Sequence, residues 1–191
     1  PDDQAGAHGP RAGVRGRPGC DGTAVSEDGP RLDSNGLHLF RDAMASFPSG
    51  VTIVTTADPS GRWWGFTATS FCSVSMEPPL VLVCLATTAE CAQVFQRATR
   101  WIVHVIHPDH AQLALRFATR GADKFADAGF VADDNGLPVL DVASVILECS
   151  LHDRHPGGDH TILVGQVQTV RIGPETPAVY FRRAFHLLPR T

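Results

Sequence analysis

Gly65-Phe66-Thr67-Ala68-Thr69-Ser70-Phe71-Cys72-Ser73-Val74-Ser75 is followed at once by Glu77-Pro78-Pro79-Leu80-Val81-Leu82-Val83-Cys84-Leu85. The stretch reads as a strand of small hydroxyl residues, a Pro-Pro corner, and a second strand apolar almost throughout, buried on both faces. Small side chains let a flat ligand approach the backbone closely, and hydroxyls with free N–H groups suit a phosphate or a heteroaromatic edge. A purely structural strand more often carries larger β-branched or aromatic side chains. On residue types alone, a ligand cradle and an ordinary Thr/Ser-rich strand both remain open.

The elements around this block are short and mostly β. Asp33 or Ser34 caps a helix with Leu37, Phe40, Met44 and Phe47 at helical spacing. Pro48-Ser49-Gly50 stops it, and the β-branched run 51–56 is a strand closed by the turn Asp58-Pro59-Ser60-Gly61. Residues 88–98 predict a helix, 100–106 a strand, and Pro108 the start of a helix through Leu113, Leu115 and Phe117. A short helix is expected over 122–128. Residues 142–152 and 161–172 form a long hairpin through Pro156-Gly157-Gly158. Residues 178–188 are a last element of open type. About six or seven strands with three or four short helices lack the alternation of a doubly wound sheet. The better fit is a mainly β antiparallel barrel with peripheral helices.

A chain of 191 residues with 43% apolar and 19% charged residues is one ordinary globular domain. Its net charge of −4 disfavours nucleic acid. No apolar run of about 18 residues is present to span a bilayer, and with no apolar core near residue 1 a signal peptide is not expected. Residues 1–31 contain seven Gly before Leu32 but no Leu, Ile, Met or aromatic residue, and read as a disordered extension. The folded domain is 32–191. The cysteines Cys20, Cys72, Cys84, Cys91 and Cys149 form no C-x-x-C pair, so neither a disulfide framework nor a zinc site is expected. Cys84 and Cys149, inside apolar runs, read as core thiols. A reducing, cytoplasmic setting follows.

His104, His107 and His110 are spaced by three, and His152, His155 and His160 surround a hairpin turn. Imidazoles ligate zinc and iron. The first set crosses a strand end and a proline turn, however, so its rings need not converge, and no metal is expected. A nucleophile elbow and a phosphate-binding P-loop are both missing. Trp63 and Trp64 suit a ligand stack, but large aromatics are more often core or interface residues. Lys124 is the sole lysine.

Four segments, in order, resemble one family. Phe47-Pro48-Ser49-Gly50-Val51-Thr52-Ile53-Val54-Thr55-Thr56 is similar to its opening strand, and the 65–85 block to its flavin-cradling strands. Gly121-Ala122-Asp123-Lys124-Phe125 resembles its loop motif, and Gly158-Asp159-His160-Thr161-Ile162-Leu163-Val164-Gly165-Gln166-Val167 its hairpin signature. The family is the flavin-reductase-like, FMN-binding split barrel, known for the reductase components of two-component flavin-dependent monooxygenases.

The resemblance implies a six-stranded antiparallel split barrel with peripheral short helices, assembled as a homodimer with flavin near the interface. Carried over by position, Thr67, Ala68, Thr69 and Ser70 would line the isoalloxazine and ribityl chain. Cys84, Leu85, Ala86, Thr87 and Thr88 would lead to the phosphate, with the last two as hydroxyl donors. Lys124 and Phe125 would close over the flavin, and His160 would lie on the nicotinamide side as the catalytic-site histidine. The implied activity is reduction of diffusible FMN or FAD by NADH, or by NADPH, for a partner monooxygenase. A flavin carrier without turnover and a split-barrel oxidase are the alternatives.

Overall fold

The computed structural model describes residues 32–189. The expected disordered extension, 1–31, lies outside them. Helix α1 (Ser34–Ala45) begins where the Asp33 carboxylate accepts the Gly36 N–H at 2.7 Å. Short strand β1 (Ser49–Gly50) leads to β2 (Thr52–Ala57), β3 (Trp63–Ala68), β4 (Cys72–Met76) and β5 (Pro79–Ala86). Helix α2 (Ala92–Arg97), β6 (Arg100–Val105), a 3-10 turn (Pro108–His110) and α3 (Ala111–Ala118) follow. Then come β7 (Val131–Ala132), β8 (Pro138–Val139), the long pair β9 (Val145–Gly157) and β10 (His160–Ile172), and finally β11 (Val179–Phe181) and β12 (Ala184–His186).

The principal sheet is antiparallel with seven strands in the order β3-β2-β6-β9-β10-β5-β4. Its two edge strands are neighbours in the chain, joined only by residues 69–71. The sheet therefore curls until its edges meet at that link without pairing, which is the split of the barrel. The expected continuous strand 63–75 is two strands instead, and this accounts for the seventh. Thr69, Ser70 and Phe71 leave the ladder, and the Ser70 hydroxyl takes the Cys84 N–H at 2.9 Å.

Strand β5 corrects another expectation. Val81, Val83 and Leu85 are buried, while Leu80, Leu82, Cys84 and Ala86 alternate with them and stay half-buried. The run is buried on one face only, and Cys84 is not a core thiol; Cys149, 2% exposed, is. Period-two alternation of the pleat sorts even an all-apolar run between two environments.

The barrel core joins Val54, Phe66, Val83, Leu85, Phe95, Trp101, Val103 and Leu163. Central β2 buries three threonines whose hydroxyls all donate to carbonyls: Thr52 to Ala68, Thr55 to Pro138 and Thr56 to Arg100, at 2.7–2.9 Å. Each of these three buried hydroxyls is thereby satisfied. Gly165 has no room for a side chain, since a Cβ there would sit 2.8 Å from the Trp101 ring.

The peripheral elements differ from expectation at their ends. The 88–98 helix forms only over Ala92–Arg97, because residues 87–91 turn. No helix forms over 122–128: Asp127 and the flanking Gly121 and Gly129 take positive φ, and the segment is a loop. The β9–β10 hairpin is longer than expected. Pro156 and Gly157 belong to β9, and the turn is Gly158-Asp159, with Gly158 at φ 67°. Residues 178–188 are a small hairpin whose turn residues Arg182 and Arg183 take φ 48° and 63°. Arg183 pairs with Asp42 at 2.7 Å and so ties this hairpin to α1.

Candidate active site

Strand β3, the C-terminal end of β5, helix α3 and the tip of β10 converge on one cavity of about 340 Å³. Its apolar wall is Phe66, Leu85 and Phe117. Phe117 reaches it because residue 65 is glycine: a Cβ there would meet the Phe117 ring at 2.7 Å and the Val54 carbonyl at 3.0 Å. The sequence places small residues where α3 must lie on the sheet. The Thr67 hydroxyl donates to the Ala114 carbonyl at 2.6 Å, fastening α3 there.

The rim is polar. Lys124 is half-buried, and its Nζ donates to the Gly65 carbonyl at 3.1 Å, which fixes the ammonium over β3. His160 stands opposite, in register with Ala86 of β5. Its Nδ1 lies 2.7 Å from the Asp159 carboxylate, and this hydrogen bond, with the imidazole's charge, holds the Asp159 carboxyl below its usual range. The Thr87 N–H and hydroxyl both donate to the Asp159 carbonyl, at 2.9 and 3.0 Å, and lock the hairpin tip to the end of β5.

Of the residues singled out from sequence, Thr67, Cys84, Leu85, Ala86, Thr88, Lys124 and His160 border this cavity. Phe125 borders the neighbouring one and packs edge-on against Phe117, 5.0 Å between ring centres. Ala68 points into the core. Thr69 is exposed, Ser70 supports Cys84, and Thr87 is committed to Asp159; these four do not border the cavity. Sequence reasoning missed Glu90, Thr119 and Arg120, which the structure adds to the rim. Their signal was slight, because they lie beside the Gly121 turn and the α2 start rather than in a motif.

The histidines separate. His104 is fully buried, its Nδ1 3.0 Å from the Ile53 carbonyl, and burial pulls its pKa down to about 4. The rings of His107 and His110 lie against each other, tilted by 45° with their centres 4.0 Å apart. Among the described residues no three His, Cys, Asp or Glu side chains gather to hold a metal. No helix there is long and apolar enough to cross a membrane.

A cavity with an apolar wall and an ammonium, a guanidinium and hydroxyls on its rim fits an aromatic ring system bearing an anionic tail. Sequence comparison agrees: the flavin reductase like domain matches residues 44–189. The chain belongs to that family.

The actinorhodin polyketide dimerase of Streptomyces coelicolor is 51% identical over 151 residues, covering 78% of this chain and 85% of the relative. An NADH:riboflavin 5'-phosphate oxidoreductase of Streptomyces pristinaespiralis is 41% identical, covering 83% and 92%. Among solved structures, BorF, the flavin reductase component of a bacterial two-component tryptophan halogenase, superposes with a TM-score of 0.74 at 31% identity. That match covers 81% of this chain and 99% of the other. The split-barrel fold of these flavin reductases is the fold described above.

Proposed function

We propose that this chain is an NAD(P)H:flavin oxidoreductase that reduces FMN or FAD as a diffusible substrate and supplies a partner monooxygenase. The observation that carries the reading is the 340 Å³ slot, apolar along Phe66, Leu85 and Phe117 and cationic at Lys124. When bound, the reduced nicotinamide supplies a hydride and the flavin accepts it, so the cofactors carry the reactive chemistry. The chain's own residues bind and orient. Lys124, held by Gly65, meets the anionic tail. The phenyl rings and Leu85 keep water from the ring site. His160, braced by Asp159, orients the nicotinamide nucleotide and abstracts no proton.

The oxidation of NADH, followed by its near-ultraviolet absorbance, tests this directly. Turnover should require added FMN or FAD, and the flavin should be lost on dialysis. Protein that oxidises NADH fully without added flavin and retains flavin through dialysis would count against release. Protein that binds flavin but never oxidises NADH would favour a carrier.

A homodimer with flavin near its interface belongs to the same proposal, supported by the exposed apolar stripe of α1. The cytoplasm is its proposed setting, in keeping with the free thiols of Cys72, Cys84, Cys91 and Cys149.

A further inference from the structure

A cavity of about 660 Å³ lies apart from the slot, and no residue lines both. Three elements enclose it: the turn between β2 and β3, the C-terminal half of α2, and the loop 133–137. Its floor is apolar, made by Ala57, Val94, Ala98 and Leu137. Leu137 is 7% exposed and belongs to the small core that also holds Ile102 and Ile146, so the floor is continuous with the packed interior.

The walls are held without an occupant. Asp133 accepts the Asn135 and Leu137 N–H groups at 2.8 and 2.7 Å, which fixes the loop. The Trp63 indole donates to the Gly136 carbonyl at 3.1 Å and ties that loop to β3. Asp58 accepts from the Ser60 N–H, the Arg62 N–H and the Trp64 indole, at 2.9, 3.1 and 2.9 Å, which fixes the turn. A pre-formed apolar hollow with a few placed polar groups is the usual form of a small-molecule site.

The ionised side chains that line the cavity are Asp58, Arg97 and Arg100. The oxygens of Asp58 are taken by the donors just named and by the Ser60 hydroxyl. The Arg100 Nη1 donates to the Asn135 side-chain carbonyl at 2.7 Å, so that guanidinium is clamped to the wall. Arg97, in the last turn of α2, forms no ion pair among the described residues. A guanidinium meets a carboxylate through two parallel hydrogen bonds. The Asp58 carboxylate on another wall disfavours a dianion such as a phosphate monoester, and the apolar floor disfavours a small hydrated ion.

We propose that this cavity binds a small organic acid, a bulky apolar body bearing one carboxylate, and that Arg97 takes the carboxylate. Calorimetric titration of the full chain, with FMN in excess to fill the slot, tests this with adamantanecarboxylate and its uncharged analogue adamantanemethanol. The acid should bind more tightly than the alcohol by about threefold to tenfold, the effect of one contact with the guanidinium. Arg97→Gln should remove that difference and leave the affinity for the alcohol as it was. Ala98→Leu, which narrows the floor, should weaken both. Arg97 is exposed and Ala98 half-buried, so both variants should melt like the wild type. Equal binding of acid and alcohol to the wild type, acid binding unchanged in Arg97→Gln, or no binding of either at millimolar concentration would each overturn the site. Acid that binds only when FMN is left out would overturn it too, because it would then lie in the slot.

Discussion

Both carboxylate oxygens of Glu90 accept the backbone N–H of Gly121, at 3.1 and 3.2 Å. Gly121 has φ 72° and opens the loop that carries Lys124 to Gly65. One side chain at the β5–α2 turn thus sets the position of the ammonium over the slot. Glu90→Ala removes the acceptor and leaves Gly121 to water. The flavin KM should rise about threefold to tenfold, the effect of one charge-assisted hydrogen bond, with the NADH KM less affected. Glu90→Gln, which still offers an oxygen to Gly121, should recover most of the loss. Equal effects of the two substitutions would point to the charge facing Arg120 and not to the loop.

In the proposed reaction His160, on the cavity rim, orients the nicotinamide nucleotide. His160→Ala should raise the NADH KM more than the flavin KM, by about threefold to tenfold. A fall in kcat together with kcat/KM would instead indicate lost alignment of the two rings. A variant that melts earlier while its kinetic constants stay at wild-type values would make His160 a brace of the hairpin tip, and remove it from the site.

Leu37, Phe40, Met44 and Phe47 lie along one side of α1 and its C-terminal extension, each between 46% and 70% exposed. Monomers rarely leave such a stripe in water. In the proposed homodimer a second copy covers it. The wild type should therefore sediment at twice the chain mass of 20.5 kDa. Phe40→Asp should shift it toward the monomer without lowering its melting temperature at high dilution. A wild-type monomer that reduces flavin at full rate would sink the dimer.

How much of this was legible in the sequence depends on what each signal reports. Local signals worked well: the Asp33 cap and the β-branched run of β2 each act within a few residues. The 65–75 stretch misled because Thr69 and Ser70 have strand chemistry, yet the sheet has its edges there. Only the tertiary closure of the barrel breaks the ladder. Lys124 was recognisable from its motif, but its loop reads as helix, since nothing nearby shows that Glu90, 31 residues before Gly121, takes the Gly121 N–H. The slot itself depends on Gly65 admitting Phe117, a contact between residues 52 positions apart that no periodicity encodes.

Gly165 tests the packing argument away from the site. It stands at a register shift in β10 against the fully buried Trp101, and a Cβ would come within 2.8 Å of that ring and 2.9 Å of the Cys149 Cβ. Neither neighbour has space to retreat. Gly165→Ala should cost about 1–3 kcal/mol, read from the urea midpoint, as expected for overpacking. At Gly61, where a Cβ meets nothing within 4 Å, any loss should come from its φ of 84° alone.

His104 makes the stability of the fold depend on pH. It is buried between β2 and β9, in register with Ile53 and Ile146, with the edge of its ring against Phe130. Nδ1 finds the Ile53 carbonyl, while Nε2 is buried without a partner. Desolvation is the chief cause of its depressed pKa of about 4, against an ordinary value of 6.5. In the unfolded chain the imidazole takes up its proton near pH 6.5, and in the folded protein only near pH 4, so acid favours unfolding across that window. Its contribution is fully present above pH 6.5 and is lost as the pH falls through the folded pKa. The difference between the two pKa values corresponds to about 3 kcal/mol. Urea midpoints of the wild type should fall between pH 6.5 and 4, and those of His104→Gln should fall less over the same interval, whatever its stability at neutral pH. Parallel curves for the two proteins would show that another group carries the acid sensitivity.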